Sequence, residues 1–169
     1  ELIGKYSNII LHEDGIITEA LRRIGENTSR VRTVFKGLTY TLPPAQDKYD
    51  LFAADIEDII ARVQADGESK LFQALIGAVL GFGPVSAKEI AFLAGLAPNV
   101  LVSELDAVDF AEIARALGEL RTWMEQPAPS LRLDENGKVA AMAAFPLSDL
   151  PKTQRLSYPT VSALMIDAD

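Results

Sequence analysis

The first fifty residues follow the two-residue period of β-strands. Residues 8–11 and 16–20 are short apolar runs separated by His-Glu-Asp-Gly at residues 12–15. An Asp-Gly pair between two such runs predicts a β-hairpin, because glycine readily takes the positive φ of a tight turn. Extended chain is expected to continue to Pro43-Pro44, since proline cannot donate to a β-ladder. We place a domain boundary near residue 50.

From residue 51 the apolar spacing changes to the 3.6-residue period of α-helices. Short connections between the amphipathic stretches favour a compact all-α module over residues 51–126. The three clearest apolar stripes are Phe52, Ile56, Ile59, Ile60 and Val63; Leu71, Phe72, Leu75, Ile76, Val79 and Leu80; and Phe110, Ile113, Ala114, Leu117, Leu120 and Met124.

Capping residues predict where two of these helices begin. Ser86 and Glu89 fit the S-x-x-E capping box, so a helix is expected to start there. Gly95 is expected to end that helix. Asp109 together with Glu112 is expected to cap the last and longest helix.

The β pattern returns after Pro127 and Pro129. Apolar and polar residues alternate at 131–133 and again at 139–143, with a turn predicted at 134–137. We therefore predict an α+β fold. In it, β-rich segments at 1–50 and 127–169 belong together and flank the helical module at 51–126.

Both ends of the sequence have the character of an internal piece. The chain begins at Glu1 without an initiator methionine, and it stops inside the apolar-rich stretch 163–169. We expect it to belong to a longer protein.

Composition excludes several classes of function. The 169 residues are 49% hydrophobic and 24% charged, as in ordinary soluble proteins, and no apolar run approaches the ~20 residues of a membrane helix. There is no cysteine and a single histidine, His12, expected to be merely exposed beside a turn. Cysteine chemistry, Ser–His pairs and multi-histidine metal sites are therefore excluded. We expect no catalytic residue, no metal, no cofactor and no membrane partner, and so no enzyme.

The net charge of −8 disfavours a nucleic-acid interface over the whole surface. One stretch runs against this trend, because between residues 20 and 48 six basic residues face only two acidic ones. The basic residues are Arg22, Arg23, Arg30, Arg32, Lys36 and Lys48. A local RNA contact and an ordinary solvent-exposed face explain this composition equally well.

The sharpest local motif is Gly-Phe-Gly-Pro-Val-Ser-Ala-Lys at residues 81–88. Two glycines before a helix start are typical of a helix–hairpin–helix, in which the backbone approaches a phosphate and the helix offers unpaired N–H groups. Gly81, Gly83, Ser86 and Lys88 are the candidate contacts, although Pro84 removes one N–H donor. A glycine-rich connection between two packed helices is the alternative.

Two stretches of the sequence resemble a known family. Residues 4–11 read Gly-Lys-Tyr-Ser-Asn-Ile-Ile-Leu, and residues 30–34 read Arg-Val-Arg-Thr-Val, followed by Gly37, Tyr40 and Pro-Pro-Ala-Gln-Asp-Lys at 43–48. In this order, and ahead of the hairpin motif, they resemble the N-terminal NFACT domain of ribosome-quality-control factors of the RqcH and fibronectin-binding protein A type.

The resemblance implies a non-catalytic part of a cytoplasmic factor. Such factors bind obstructed large ribosomal subunits and tRNA to support C-terminal tailing of stalled chains. The family's Asp-Arg pair for tRNA work has no match in this chain. The candidate nucleic-acid-binding residues are Arg30, Arg32, Lys36, Gly81, Gly83, Ser86 and Lys88.

Two alternatives remain open. Residues 83–98 also resemble the helix–two-turn–helix of formamidopyrimidine-type DNA glycosylases, although Pro84 stands where those enzymes normally carry asparagine. Their four-cysteine zinc finger has no counterpart here. The other alternative is a cell-surface, fibronectin-binding adhesin, with a secondary surface location.

Overall fold

The computed structural model describes residues 7–25, 32–148 and 155–168, and within them five α-helices and five β-strands. The predicted α+β class is confirmed. The chain divides into two units, Glu1–Gln46 and Asp47–Asp169.

A β-hairpin forms the centre of the first unit. Strands β1 (Ile10–Glu13) and β2 (Ile16–Ala20) pair antiparallel. The turn between them places Asp14 at φ 48° and Gly15 at φ 78°, as a type I′ turn requires at both central positions. The predicted hairpin is therefore confirmed, with the Asp-Gly pair at its turn.

The chain after the hairpin is extended but forms only isolated bridges in the part that is described. Val34 pairs with Ile24, and Thr39 pairs with Ile16, both antiparallel. These bridges lie against the hairpin, and Ile17, Ala20 and Val34 form the buried apolar cluster of the described part of this unit.

The second unit opens with helices. They are α1 (Ile56–Gln64), α2 (Leu71–Ala78), α3 (Pro84–Leu93), a 3₁₀ turn at Val102–Glu104 and α4 (Ala107–Glu125). An antiparallel sheet and a last helix follow, namely β3 (Ser130–Leu133), β4 (Val139–Ala143), β5 (Arg155–Ser157) and α5 (Val161–Asp167). The strand order is β4-β3-β5.

One hydrophobic core joins the helices to the segment around β4. Leu75, Ile90 and Leu117 contribute from three different helices, and Phe145 and Leu147 contribute from the chain that follows β4. The helical module is thus covered on one side by residues that come after it in sequence. The packing of residues 127–169 against the N-terminal β segment stays a prediction.

The capping box predicted at Ser86 and Glu89 is wrong. Helix α3 begins three residues earlier, with Gly83 as N-cap and Pro84 as its first residue. Proline is favoured at that position because its φ is already helical and because an N–H group there would have no acceptor within the helix. Ser86 therefore lies inside the helix, and the Glu89 side chain is buried instead of folding back on the helix start.

The cap predicted for the last helix is also displaced. The Asp106 carboxylate accepts hydrogen bonds from the N–H groups of Val108 (2.7 Å) and Asp109 (3.0 Å). The Asp109 carboxylate accepts one from the N–H of Asp106, so this pair forms a reciprocal capping box. Aspartate replaces serine and glutamate in this role because its carboxylate reaches the same N–H groups.

None of the helices in the described ranges is long and apolar enough to cross a membrane.

Candidate nucleic-acid interface

The connection between α2 and α3 is bonded to the chain that precedes α1. After Ala78 the chain becomes extended at Val79, which forms a parallel bridge with Tyr49. The Tyr49 N–H donates to the Ala78 carbonyl, and the Leu80 N–H donates to the Tyr49 carbonyl, both at 2.8 Å. These two bonds fix the backbone at the start of the α2–α3 connection.

The two glycines of the α2–α3 connection have different roles. Gly81 has φ +79°, a conformation that L side chains rarely adopt, so glycine is needed there for the backbone. Gly83 has φ −126° and ψ −175°, which any residue can adopt. A Cβ atom added at Gly83 would meet nothing within 4 Å, so the space beside the start of α3 is open.

Helix α3 presents backbone donors at this open position. The first helical hydrogen bond runs from the Ala87 N–H to the Gly83 carbonyl at 3.0 Å, so the N–H groups of Val85 and Ser86 precede it. Pro84, Val85 and Ser86 carry no negative charge, and Lys88 is exposed one turn further on. The positive end of the helix dipole and Lys88 together favour an anion here.

A groove of about 210 Å³ runs along the same helix start. Pro84, Val85, Lys88 and Glu89 line it from α3, and Arg132 lines it from β3. Arg132 joins Lys88 only because the sheet packs on the helices. The sequence analysis did not identify Arg132, because nothing in the local strand pattern indicates that it lies near a residue 44 positions earlier.

Glu89 holds this arrangement together. Its side chain is 1% exposed, and the Ser148 N–H donates to both of its carboxylate oxygens, at 2.9 and 3.0 Å. The bonds tie the second turn of α3 to the chain that follows β4. Glu89 therefore positions the helix start relative to the groove.

The first unit contains three of the predicted contacts, Arg30, Arg32 and Lys36. Arg30 lies outside the described residues. Arg32 is half-buried with its guanidinium 5.2 Å from the Tyr40 ring centroid, and Lys36 is exposed in the turn before Gly37. Gly81, Gly83, Ser86 and Lys88, in contrast, lie together in the second unit.

Arg23 is partly neutralised by its neighbour on the hairpin. Its guanidinium lies 3.6 Å from the Glu19 carboxylate, and both side chains are largely exposed. The backbone N–H of Ala20, followed by the charge of Arg23, lowers the pKa of Glu19. Glu19 is therefore ionised at neutral pH and competes with any phosphate for Arg23.

The negative charge of the protein is concentrated in the second unit. Residues 1–46 contain six lysines and arginines against five acidic residues, whereas residues 47–169 contain ten against nineteen. Anion binding in the second unit must therefore be confined to a local position such as the start of α3.

The single histidine does more than face solvent. Its ring stacks on Tyr40, with ring centroids 4.8 Å apart and an angle of 8° between the ring planes. Neither the position of His12 beside a turn nor its distance from Tyr40 in sequence indicated this contact. Among the described residues, no group of three or more histidines, cysteines, aspartates and glutamates could hold a metal ion.

The fold is similar to those of two solved structures. The crystal structure of the fibrinogen binding protein from Staphylococcus aureus aligns with a TM-score of 0.73 at 20% identity, over 98% of this chain and 56% of that one. The N-terminal part of the fibronectin/fibrinogen-binding protein from Streptococcus suis (FBPS) aligns with a TM-score of 0.60 at 24% identity, over 98% and 53%. These likenesses show a shared fold.

The family follows from the sequence itself. The model of the NFACT N-terminal and middle domains matches residues 1–167, and the chain belongs to the NFACT family. The resemblance predicted from the sequence is confirmed. The Rqc2 homolog RqcH of Bacillus subtilis (strain 168) is 34% identical over 115 residues, which are 67% of this chain and 20% of RqcH. The match thus spans about a fifth of that relative.

Proposed function

We propose that this chain is a non-catalytic, RNA-contacting part of a cytoplasmic ribosome-quality-control factor. Membership of the NFACT family and the identity shared with RqcH support this class of function. The whole protein would bind a large ribosomal subunit obstructed by peptidyl-tRNA and recruit tRNA for C-terminal tailing of the stalled chain.

The open start of α3 is the observation that carries the RNA contact. It combines a helix end without a capping side chain, an exposed lysine and space beside Gly83. A phosphate group fits this combination, because N–H donors, the helix dipole and a lysine charge all favour an oxyanion. Arg132 adds a second cation to the groove, in which Glu89 is the one acidic residue among the described residues of the lining.

The contact is to the sugar-phosphate backbone and carries no sequence preference. Backbone N–H groups and lysine recognise phosphate oxygens, which every nucleotide presents. The chain would therefore position the factor on structured RNA, and the choice of tRNA would depend on other parts of the protein.

A charge reversal at the hairpin is expected to weaken ribosome association without unfolding the protein. In the double variant Gly83→Asp/Lys88→Glu, two negative charges face the phosphate, so association should fall by about an order of magnitude at ~0.1 M salt. Gly83 has an extended backbone at an N-cap position, where aspartate is a favourable residue. The variant helix should therefore be at least as stable as the original.

The matched control is Gly83→Asn/Lys88→Gln, which has nearly the same shape and capping ability without the negative charges. The whole protein from its native source would be sedimented through sucrose gradients, and the RNA that travels with it sequenced. Wild-type protein should co-migrate with large subunits and tRNA. The control should lose part of this association, because it caps the helix and removes the lysine charge, and the charge-reversed variant should lose most of it. Equal co-migration of all three proteins would show that residues 81–88 do not contact RNA and only pack within the fold.

Adhesion is the second candidate function. Two solved structures with this fold are named for fibrinogen and fibronectin/fibrinogen binding. Retention of the purified protein on immobilised fibronectin or fibrinogen, with no ribosomal association, would favour adhesion. Cleavage of damaged-base duplex DNA would instead support the glycosylase alternative.

A further inference from the structure

We infer that the first unit binds an unpaired RNA base by stacking it on His12, in a column completed by Tyr40 and Arg32. This inference rests on the proposed RNA contact and deepens it. It adds a second contact, in which a base of single-stranded RNA stacks on the protein.

Three separate segments build the column. His12 comes from β1, Tyr40 from the extended chain after the Thr39 bridge, and Arg32 from the chain before Val34. The Tyr40 N–H donates to the Gly15 carbonyl at 2.6 Å, which fixes Tyr40 beside the hairpin turn. The backbone of Tyr40 is therefore held close to the strand that carries His12.

The geometry leaves one ring face accessible. The His12 and Tyr40 rings are nearly parallel, at 8°, and Tyr40 also contacts the Arg32 guanidinium. Tyr40 and Arg32 are half-buried, whereas His12 is exposed. Because one face of the imidazole lies on Tyr40, its exposure is on the opposite face and the outer edge.

A nucleobase matches this surface. Every base has a flat π face, and stacking on aromatic or arginine planes is the usual way in which proteins hold unpaired bases. The carboxylates of Glu13 and Asp14 follow His12 directly and repel phosphate, so the base and not the backbone belongs at the imidazole. Lys36, exposed in the same unit, offers a positive charge for the phosphate chain.

Paired RNA cannot use this surface in the same way. In a duplex the bases stack on each other, so their faces are covered except at the ends. The column therefore selects single-stranded segments, such as loops or free ends, over helical RNA.

Affinity for two RNA probes tests the inference. The purified whole protein would be titrated into a short single-stranded RNA carrying 2-aminopurine, whose fluorescence reports stacking, and into a duplex of equal length. His12→Ala should weaken binding of the single strand by about fivefold or more, and should leave duplex binding unchanged. His12→Phe keeps a flat ring and should restore the affinity. Thermal unfolding of each variant would confirm that the exposed position does not alter stability.

The outcomes separate the two proposals. Unchanged single-strand affinity in His12→Ala, equal weakening for both probes, or failure of His12→Phe to restore binding would overturn the column as a base-binding site. The hairpin contact would stand in each of these cases. Absence of binding to either probe by the wild-type protein, together with no ribosomal association, would overturn the proposed function as well.

Discussion

Replacing Glu89 with alanine is expected to lower the free energy of unfolding by about 2–3 kcal/mol. The buried carboxylate accepts two hydrogen bonds from the Ser148 N–H, and bonds to a charged acceptor are among the strongest in proteins. Truncation removes both and leaves the N–H of Ser148 without its acceptor. Chemical denaturation of the whole protein measures the loss.

Two controls define the origin of this loss. Glu89→Gln keeps a carbonyl oxygen that can accept from Ser148, so it should lose clearly less stability than Glu89→Ala. Glu119→Ala removes an exposed carboxylate that pairs with Arg115 on α4, and should cost no more than about 1 kcal/mol. Equal effects of Glu89→Ala and Glu119→Ala would show that the bond to Ser148 does not stabilise the fold.

Leu117→Ala is expected to cost more, about 2–5 kcal/mol. Leu117 lies on α4 with no exposed surface, inside the core that the helices share with Phe145 and Leu147. Removing its isobutyl group sacrifices buried apolar contact and leaves a cavity that the surrounding helices can fill only in part. Denaturant unfolding should show a lower midpoint.

Met124→Ala is the matched control on the same helix. Met124 is 40% exposed, so its truncation should cost well under half of the Leu117→Ala effect. If the two variants were equally destabilised, the core would not be centred on the inner face of α4.

Much of the fold could be predicted from local patterns. The Asp-Gly turn set the first hairpin, and Gly95 ends α3 as expected, with φ +73° and a 2.8 Å bond from the Leu96 N–H to the Ala91 carbonyl. The apolar stripe on α4 also holds, because Ile113, Leu117 and Leu120 are fully buried. These features depend on residues close in sequence, which is why the sequence alone was sufficient.

Features set by tertiary packing were missed. Phe52 fits the first helical stripe by spacing, but α1 begins only at Ile56 and Phe52 is half exposed. Glu89 fits a capping box by spacing, but burial against the chain around Ser148 decides its role. At Glu89 a long-range contact overrides a local preference, whereas the Phe52 N–H donates to the Asp50 carboxylate at 2.9 Å in a turn ahead of α1.

The candidate interface could be predicted only in part, because some of its contacts are local and others join distant segments. Gly83 and Lys88 could be named because a helix start is a local feature. Arg132 and the stacking of His12 on Tyr40 depend on which segments meet in the folded chain. The spacing of residues along the sequence does not indicate which distant segments pack together, so it could not predict these two contacts.

The central claim is that this chain contacts RNA within a ribosome-quality-control factor. Protein–RNA cross-linking in living cells with a bifunctional reagent that bridges a lysine amine and a nearby base tests it most directly, with the whole protein purified afterwards and its RNA-linked peptides identified by mass spectrometry. We predict links in peptides that contain residues 81–88, joined to large-subunit ribosomal RNA or tRNA. Cross-linked protein that co-purifies with large subunits but carries RNA on no peptide of this chain would contradict the claim.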